Sequence, residues 1–233
     1  MTGEDAMKYQ FEFGFLADTW PLLLEGVWLT LVLSTAATVL GFVLGTLCAV
    51  ARSKGSPWLQ RLVGFYVEVI RNTPLLVQIF IVYFGFASVG WKIPAMIAAV
   101  AALVINIGAY TCEIVRAGIE SVHPGQIEAG ECLGLSRAQI IWHIVLRPAI
   151  ERVYPALTSQ YVLLMLASSI TSQISAEELT AIANRIQSDT FRSFEVYLVV
   201  AALYLVLSLV VRAALWLFGQ SLFTRRRRLG TAL

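Results

Sequence analysis

The sequence predicts an all-α integral membrane protein of five transmembrane helices, with the amino terminus outside and the carboxy terminus in the cytoplasm. Three observations predict it. Of the 233 residues 58% are hydrophobic and only 14% charged, where a soluble domain carries about 25% charged residues. The apolar residues fall in long uncharged runs, and a hydrocarbon core about 30 Å thick needs roughly 20 such residues per helix. Lysine and arginine are distributed unevenly between alternate connecting segments, and such residues are retained in the cytoplasm.

Every residue between Glu25 and Arg52 is uncharged, which gives the first span. The stretch from Arg71 to Glu113 is uncharged except for Lys92, flanked by Gly90 and Pro94, and divides into the second and third. The second is expected to begin before Arg71, within Leu62 to Ile70, with Pro74 kinking or breaking its early part. Val153 to Ala176 supplies the fourth, and Val196 to Val211, continued past Arg212 to Phe223, the fifth. Arg212 can snorkel toward an interface. Residues 1–19 carry Glu4, Asp5, Glu12 and Asp18 and lack the basic and apolar regions of a cleavable signal, so they are expected to form an external segment before a membrane domain at 20–223. Residues 224–233 form a basic tail, whose Arg225 to Arg228 suit a membrane surface.

Orientation follows from the charges. With the carboxy terminus inside, cytoplasmic segments hold Arg52, Lys54, Arg61, Arg71, Arg116, Arg137, Arg147, Arg152, Arg212 and Arg225 to Arg228, against Lys8, Lys92, Arg185 and Arg192 outside. A net charge of +2 gives no reason to expect nucleic acid as a partner. Cys48, Cys112 and Cys132 show no metal-ligand spacing and are expected to be packing residues, with no metal site. No HExxH pattern, nucleophile with its base, or intramembrane carboxylate pair supports an enzyme, and His123 and His143 fit a turn and an interfacial packing position.

The cytoplasmic segment at about 117–152 is too long for a connector between spans. Pro124 and Gly125 can start a helix at Gln126, Gly134 can end it after Leu133, and Ser136 can cap a second before Arg137. A docking surface results. Glu128-Ala129-Gly130-Glu131-Cys132-Leu133-Gly134-Leu135-Ser136, followed by Leu146-Arg147-Pro148-Ala149, resembles the EAA loop of ABC importer permeases. Glu68 through Gln78, containing Arg71-Asn72-Thr73-Pro74, and Tyr110 through Ile119 are similar to the polar amino-acid branch, the histidine, glutamine, glutamate and arginine permeases. The resemblance covers about Glu25 to Phe223.

It implies a type I importer fold in the bacterial inner membrane, with an ATP-binding cassette dimer, a second permease identical or homologous, an extracytoplasmic amino-acid-binding protein and membrane lipid as partners. It implies no cofactor in this chain, ATP and magnesium belonging to the partner ATPase. It places Glu128, Ala129, Gly130 and Leu133 at the ATPase contact and Gly134 at the tight turn. Gly130 departs from the usual Ala, and Gly weakens a helix by about 1 kcal/mol relative to Ala.

Polar groups inside spans are costly in lipid and face a partner helix or a water-filled cavity. On the third helix Asn106, Tyr110 and Glu113 recur at i, i+4 and i+7 and share a face, with Asn106 near mid-bilayer and Glu113 near the cytoplasmic side. For Glu113 an ion pair with Arg116 or Arg71 stands beside binding of a substrate amine. On the fourth helix Gln160, Ser168, Ser169, Thr171 and Gln173 are candidates for the substrate path, and helix packing is the competing role for the hydroxyls. Leu166 and Ala167 stand where the branch commonly has Lys and a polar residue, which implies a different amino acid or a non-binding half of a pair. Leu179, Ile182 and Ile186 predict a short helix at the outer surface.

Overall fold

The computed structural model describes residues 11–222, so the expectations for Lys8, for the first ten residues and for the tail with Arg225 to Arg228 lie outside the described residues. Among the described residues the chain is all helical. Its elements are α1 (Leu16–Lys54), α2 (Pro57–Arg71), α3 (Leu75–Ser88), α4 (Ala95–Glu120), α5 (Pro124–Cys132), α6 (Arg137–Gln139), a π segment (Ile140–Leu146), α7 (Arg147–Ala167), a 3-10 segment (Ser168–Ile174), α8 (Leu179–Thr190) and α9 (Ser193–Leu222).

Among the described residues four helical stretches are long and apolar enough to cross a membrane: α1, α4, Arg137–Ile174 and α9. The expected second span takes a different form. Pro74 does not merely kink it: α2 and α3 meet at 109° across Asn72 to Pro74, because proline lacks the donor a continuing helix needs and disfavours helical backbone at the preceding residue. At about 1.5 Å per residue the 14 residues of α3 reach only about 21 Å. The second helix of the cytoplasmic segment, opened by Ser136, runs through the π segment into the fourth span without a break, and Pro148 falls at the start of α7.

The core lies between α1 and α4. Along α1 the buried stripe Thr30, Ser34, Ala37, Gly41, Gly45 and Ala49 is almost entirely small residues. A Cβ on Gly41 would lie 2.1 Å from Ile107 Cγ2, and one on Gly45 2.6 Å from the Gly108 carbonyl oxygen. Small residues at four-residue spacing let helix backbones approach closely in lipid, where association rests on packing rather than on exclusion of water. Thr30 and Ser34 satisfy their hydroxyls on the carbonyls of Gly26 and Thr30, at 2.9 and 2.7 Å.

At one end α8 packs Leu179, Ile182, Ala183 and Ile186 against Leu23 of α1 and Val196 and Val200 of α9. Its N-cap Glu178 is wholly buried, its carboxylate accepting from the Ala181 and Thr180 amides and the Tyr204 hydroxyl at 2.8, 2.9 and 2.7 Å. Burial pushes this carboxyl above its ordinary range, against the pull of those donors. Among the described cysteines Cys112 is buried and Cys48 half-buried, as packing requires, but Cys132 is exposed. That residue corrects the expectation of three packing cysteines: it lies at the exposed end of the short helix α5.

Candidate functional site

α5 is built to hold a small surface rigidly. His123 caps it, its Nδ1 accepting from the Gly125 amide at 3.1 Å, with Pro124 at the first helical position. The end is a Schellman turn: Gly134 at φ +72°, the Gly134 amide on the Glu131 carbonyl at 2.9 Å, and the Leu135 amide on the Gly130 carbonyl at 3.1 Å. Ser136 then opens the next helix with a capping box to Gln139. α5 through Ile127, and the turn after it through Leu135, rest on Val122, Ile140 and Val145.

Gly130 is the point of closest contact. A Cβ there would come within 2.5 Å of Ile144 Cδ1, so the usual Ala would displace that side chain, and the absence of a methyl lets α5 settle on the π segment. Opposite this buried face Glu128, Ala129, Glu131 and Cys132 are exposed, and Leu133 is 79% exposed at the tip.

The polar residues of α4 meet the bend between α2 and α3. Asn106, 8% exposed, donates through Nδ2 to Gln78 Oε1 at 2.9 Å. Gln78 in turn shares its amide protons among the Ile70 carbonyl, the Thr73 carbonyl and the Thr73 hydroxyl, at 2.8, 3.0 and 2.9 Å. One side chain therefore closes the corner of the broken helix and fastens it to α4. One turn on, the Arg71 guanidinium lies 5.4 Å from the centre of the Tyr110 ring. Glu113 gathers arginines from three helices: Arg52 of α1 in direct contact, Arg116 of α4 at 2.9 Å and Arg71 of α2 at 3.8 Å. Its carboxylate is thus an ion-pair hub, and Arg116 also holds Glu120 at 2.7 Å.

The residues of the fourth span separate. The Ser168, Ser169, Thr171 and Ser172 hydroxyls each donate to the carbonyl three residues back, at 2.7 to 2.8 Å. Ser168 and Thr171 are fully buried in this chain, Ser169 and Gln160 half-buried, and Gln173 exposed. These hydroxyls thereby satisfy carbonyls of the last turn of α7 and the start of the 3-10 segment, which ends at left-handed Ser175, φ 60°.

Residues 41–224 match the family model described as binding-protein-dependent transport system inner membrane component. The chain belongs to this family of transport permeases. Across 226 residues the permease is 36% identical to the octopine transport system permease protein OccM of Rhizobium radiobacter, covering 93% of this chain and 92% of that one. It is 37% identical over 205 residues to the glutamine transport system permease protein GlnP of Escherichia coli K12, covering 87% and 93%. The crystal structure of an amino acid ABC transporter with histidines matches with TM-score 0.83 and 37% identity over 91% of this chain and 100% of that chain. The MetNI methionine ABC transporter in inward facing conformations, 23% identical with TM-score 0.72, shares the fold of the permease.

Two site residues escaped sequence reasoning. Gln78 stands at the end of the Arg-Asn-Thr-Pro stretch, and its signal was an amide within an apolar run four residues after a helix-breaking proline. Arg52 ends the first uncharged stretch and reads as a boundary charge; only the close approach of α1 and α4 brings it to Glu113.

Proposed function

We propose that this permease is one half of the membrane path of an ATP-driven, binding-protein-dependent amino-acid importer, working with a second permease, identical or homologous. The reading has five spans, α1, the bent α2–α3 pair, α4, the continuous Arg137–Ile174 helix and α9, with the amino terminus outside. It is supported by the excess of arginine on the side of α5. That side carries the ATPase dimer, which binds ATP and magnesium, while the α8 side receives the amino-acid-binding protein. The named relatives carry glutamine and octopine, so an amide or acidic amino acid, or an opine-like derivative of one, is the substrate class it fits first.

The observation that carries the reading is α5 itself, with Leu133 exposed on a helix fixed at both ends. Binding of the ATPase groove around Glu128, Ala129 and Leu133 would pass its movement through Gly130 and Ile144 into the fourth span. In the alternating-access cycle this reorients the path past Asn106, Tyr110, Gln160, Ser169 and Gln173. The test is Leu133→Asp in the complete transporter reconstituted in proteoliposomes. Because Leu133 packs on little of its own chain, the variant is expected to accumulate normally yet lose uptake of labelled glutamine together with the ATPase subunit on purification. Uptake and ATPase recovery equal to wild type overturn the coupling role.

A further inference from the structure

Arg212 is the single cation within α9 and follows a long apolar run from Val196. Counting from Ser193, it lies about 28 Å along α9, which puts it close to the far boundary of a hydrocarbon core whose near boundary is marked by Arg192 and Glu195. Among the described residues it makes no ion pair or hydrogen bond. It lies against a cavity of about 510 Å³ between α7 and α9, walled by Pro155, Thr158, Ser159, Leu209 and Trp216.

The surroundings decide what suits this cavity. Leu205, Leu209, Arg212 and Trp216 follow one another along one helix face, and the three apolar members are 60, 58 and 46% exposed. A water-filled path would leave such a face unfavourably wetted, whereas acyl chains cover it at no cost. Trp216 stands one turn beyond Arg212, where an indole favours the headgroup level. A cavity with an apolar floor and one unpaired guanidinium at headgroup depth complements an anion that carries hydrocarbon chains. Arginine binds phosphate oxygens through two parallel donors, and the Ser159 hydroxyl at the rim can supply a third.

From this geometry we infer that the α7–α9 groove is a binding site for one anionic phospholipid. Its phosphate sits on Arg212 and Ser159, and its acyl chains lie along Leu205 and Leu209. The inference rests on the reading of α7 and α9 as membrane-crossing helices.

The complete transporter, purified in mild detergent and titrated with phosphatidylglycerol or phosphatidylcholine, tests this by native mass spectrometry. Wild type is expected to hold one phosphatidylglycerol per permease in preference to phosphatidylcholine. Arg212→Gln is expected to weaken that binding about tenfold, the loss of one charge-assisted contact. Ser159→Trp, which fills the groove and keeps the charge, is expected to remove the bound lipid too. Equal retention of the two lipids by wild type, or unchanged phosphatidylglycerol binding in both variants, overturns the site. So does disulfide formation between two permeases through Ala213→Cys, which would show that a second copy covers the groove.

Discussion

Glu113 is where a single side chain organises the most charge. Three guanidiniums from α1, α2 and α4 surround it, and each would otherwise need solvent or lipid headgroups to satisfy it. Glu113→Gln removes the charge that holds them while keeping the shape, and a hydrogen bond to a charged group contributes about 1.5–3 kcal/mol. The expected result is a melting temperature several degrees lower for the purified complex, with uptake reduced in proportion to the protein lost. If the carboxylate instead receives a substrate amine, Glu113→Gln raises KM for uptake with no change in melting temperature, so the two measurements separate the roles. The Gln78–Asn106 pair is tested differently. Gln78→Leu leaves a buried Asn106 amide unmatched and is expected to cost about 1–3 kcal/mol, while Gln78→Leu with Asn106→Leu should recover part of the loss, since an apolar pair leaves fewer polar groups unsatisfied. A double variant no more stable than Gln78→Leu would show that the loss comes from the Gln78 bonds to Ile70 and Thr73 and not from the unmatched Asn106 amide.

At the scale of elements, the sequence showed most where a local signal ends a helix. Pro124, Gly134 and Ser136 delimit α5 as their chemistry dictates, and the structure adds only that Gly134 at φ +72° completes a Schellman turn. Gly134→Val strains this backbone by about 1–2 kcal/mol. Because the turn carries Leu133, ATP hydrolysis is expected to persist while uptake per ATP falls, measured in proteoliposomes; unchanged coupling would mean the turn tolerates a β-branched residue by shifting. What could not be read locally is what depends on a neighbouring helix. Gly130 looks like a weakness in α5 until Ile144 is seen 2.5 Å from its missing Cβ. The glycines of α1 look incidental in an apolar run until Gly108 and Thr111 are found against them. Gly45→Leu would drive a side chain into the backbone of α4, and is expected to abolish folded permease in the membrane, scored as detergent-resistant protein on size exclusion. A monodisperse variant would show that α1 can move away from α4.

For the whole molecule, uncharged runs made the spans legible but said little of their angles. The α2–α3 pair shows why: an apolar count is satisfied equally by one straight helix and by two shorter ones meeting at 109°, and only the proline hints at which. Charge asymmetry is likewise a property of the whole chain, since no one arginine decides orientation and the sum does. Two exposed serines lie at opposite ends by this reading, Ser136 beside α5 and Ser188 on α8. After the native cysteines are replaced by serine, Ser136→Cys is expected to react with a membrane-impermeant maleimide only in inverted vesicles, and Ser188→Cys only in intact spheroplasts. The reverse pattern would place α5 outside, away from ATP, and would remove both the orientation and the coupling role that depends on it. Labelling of both from one side would mean an even number of crossings between them, so that α7 and its 3-10 end do not form a complete span.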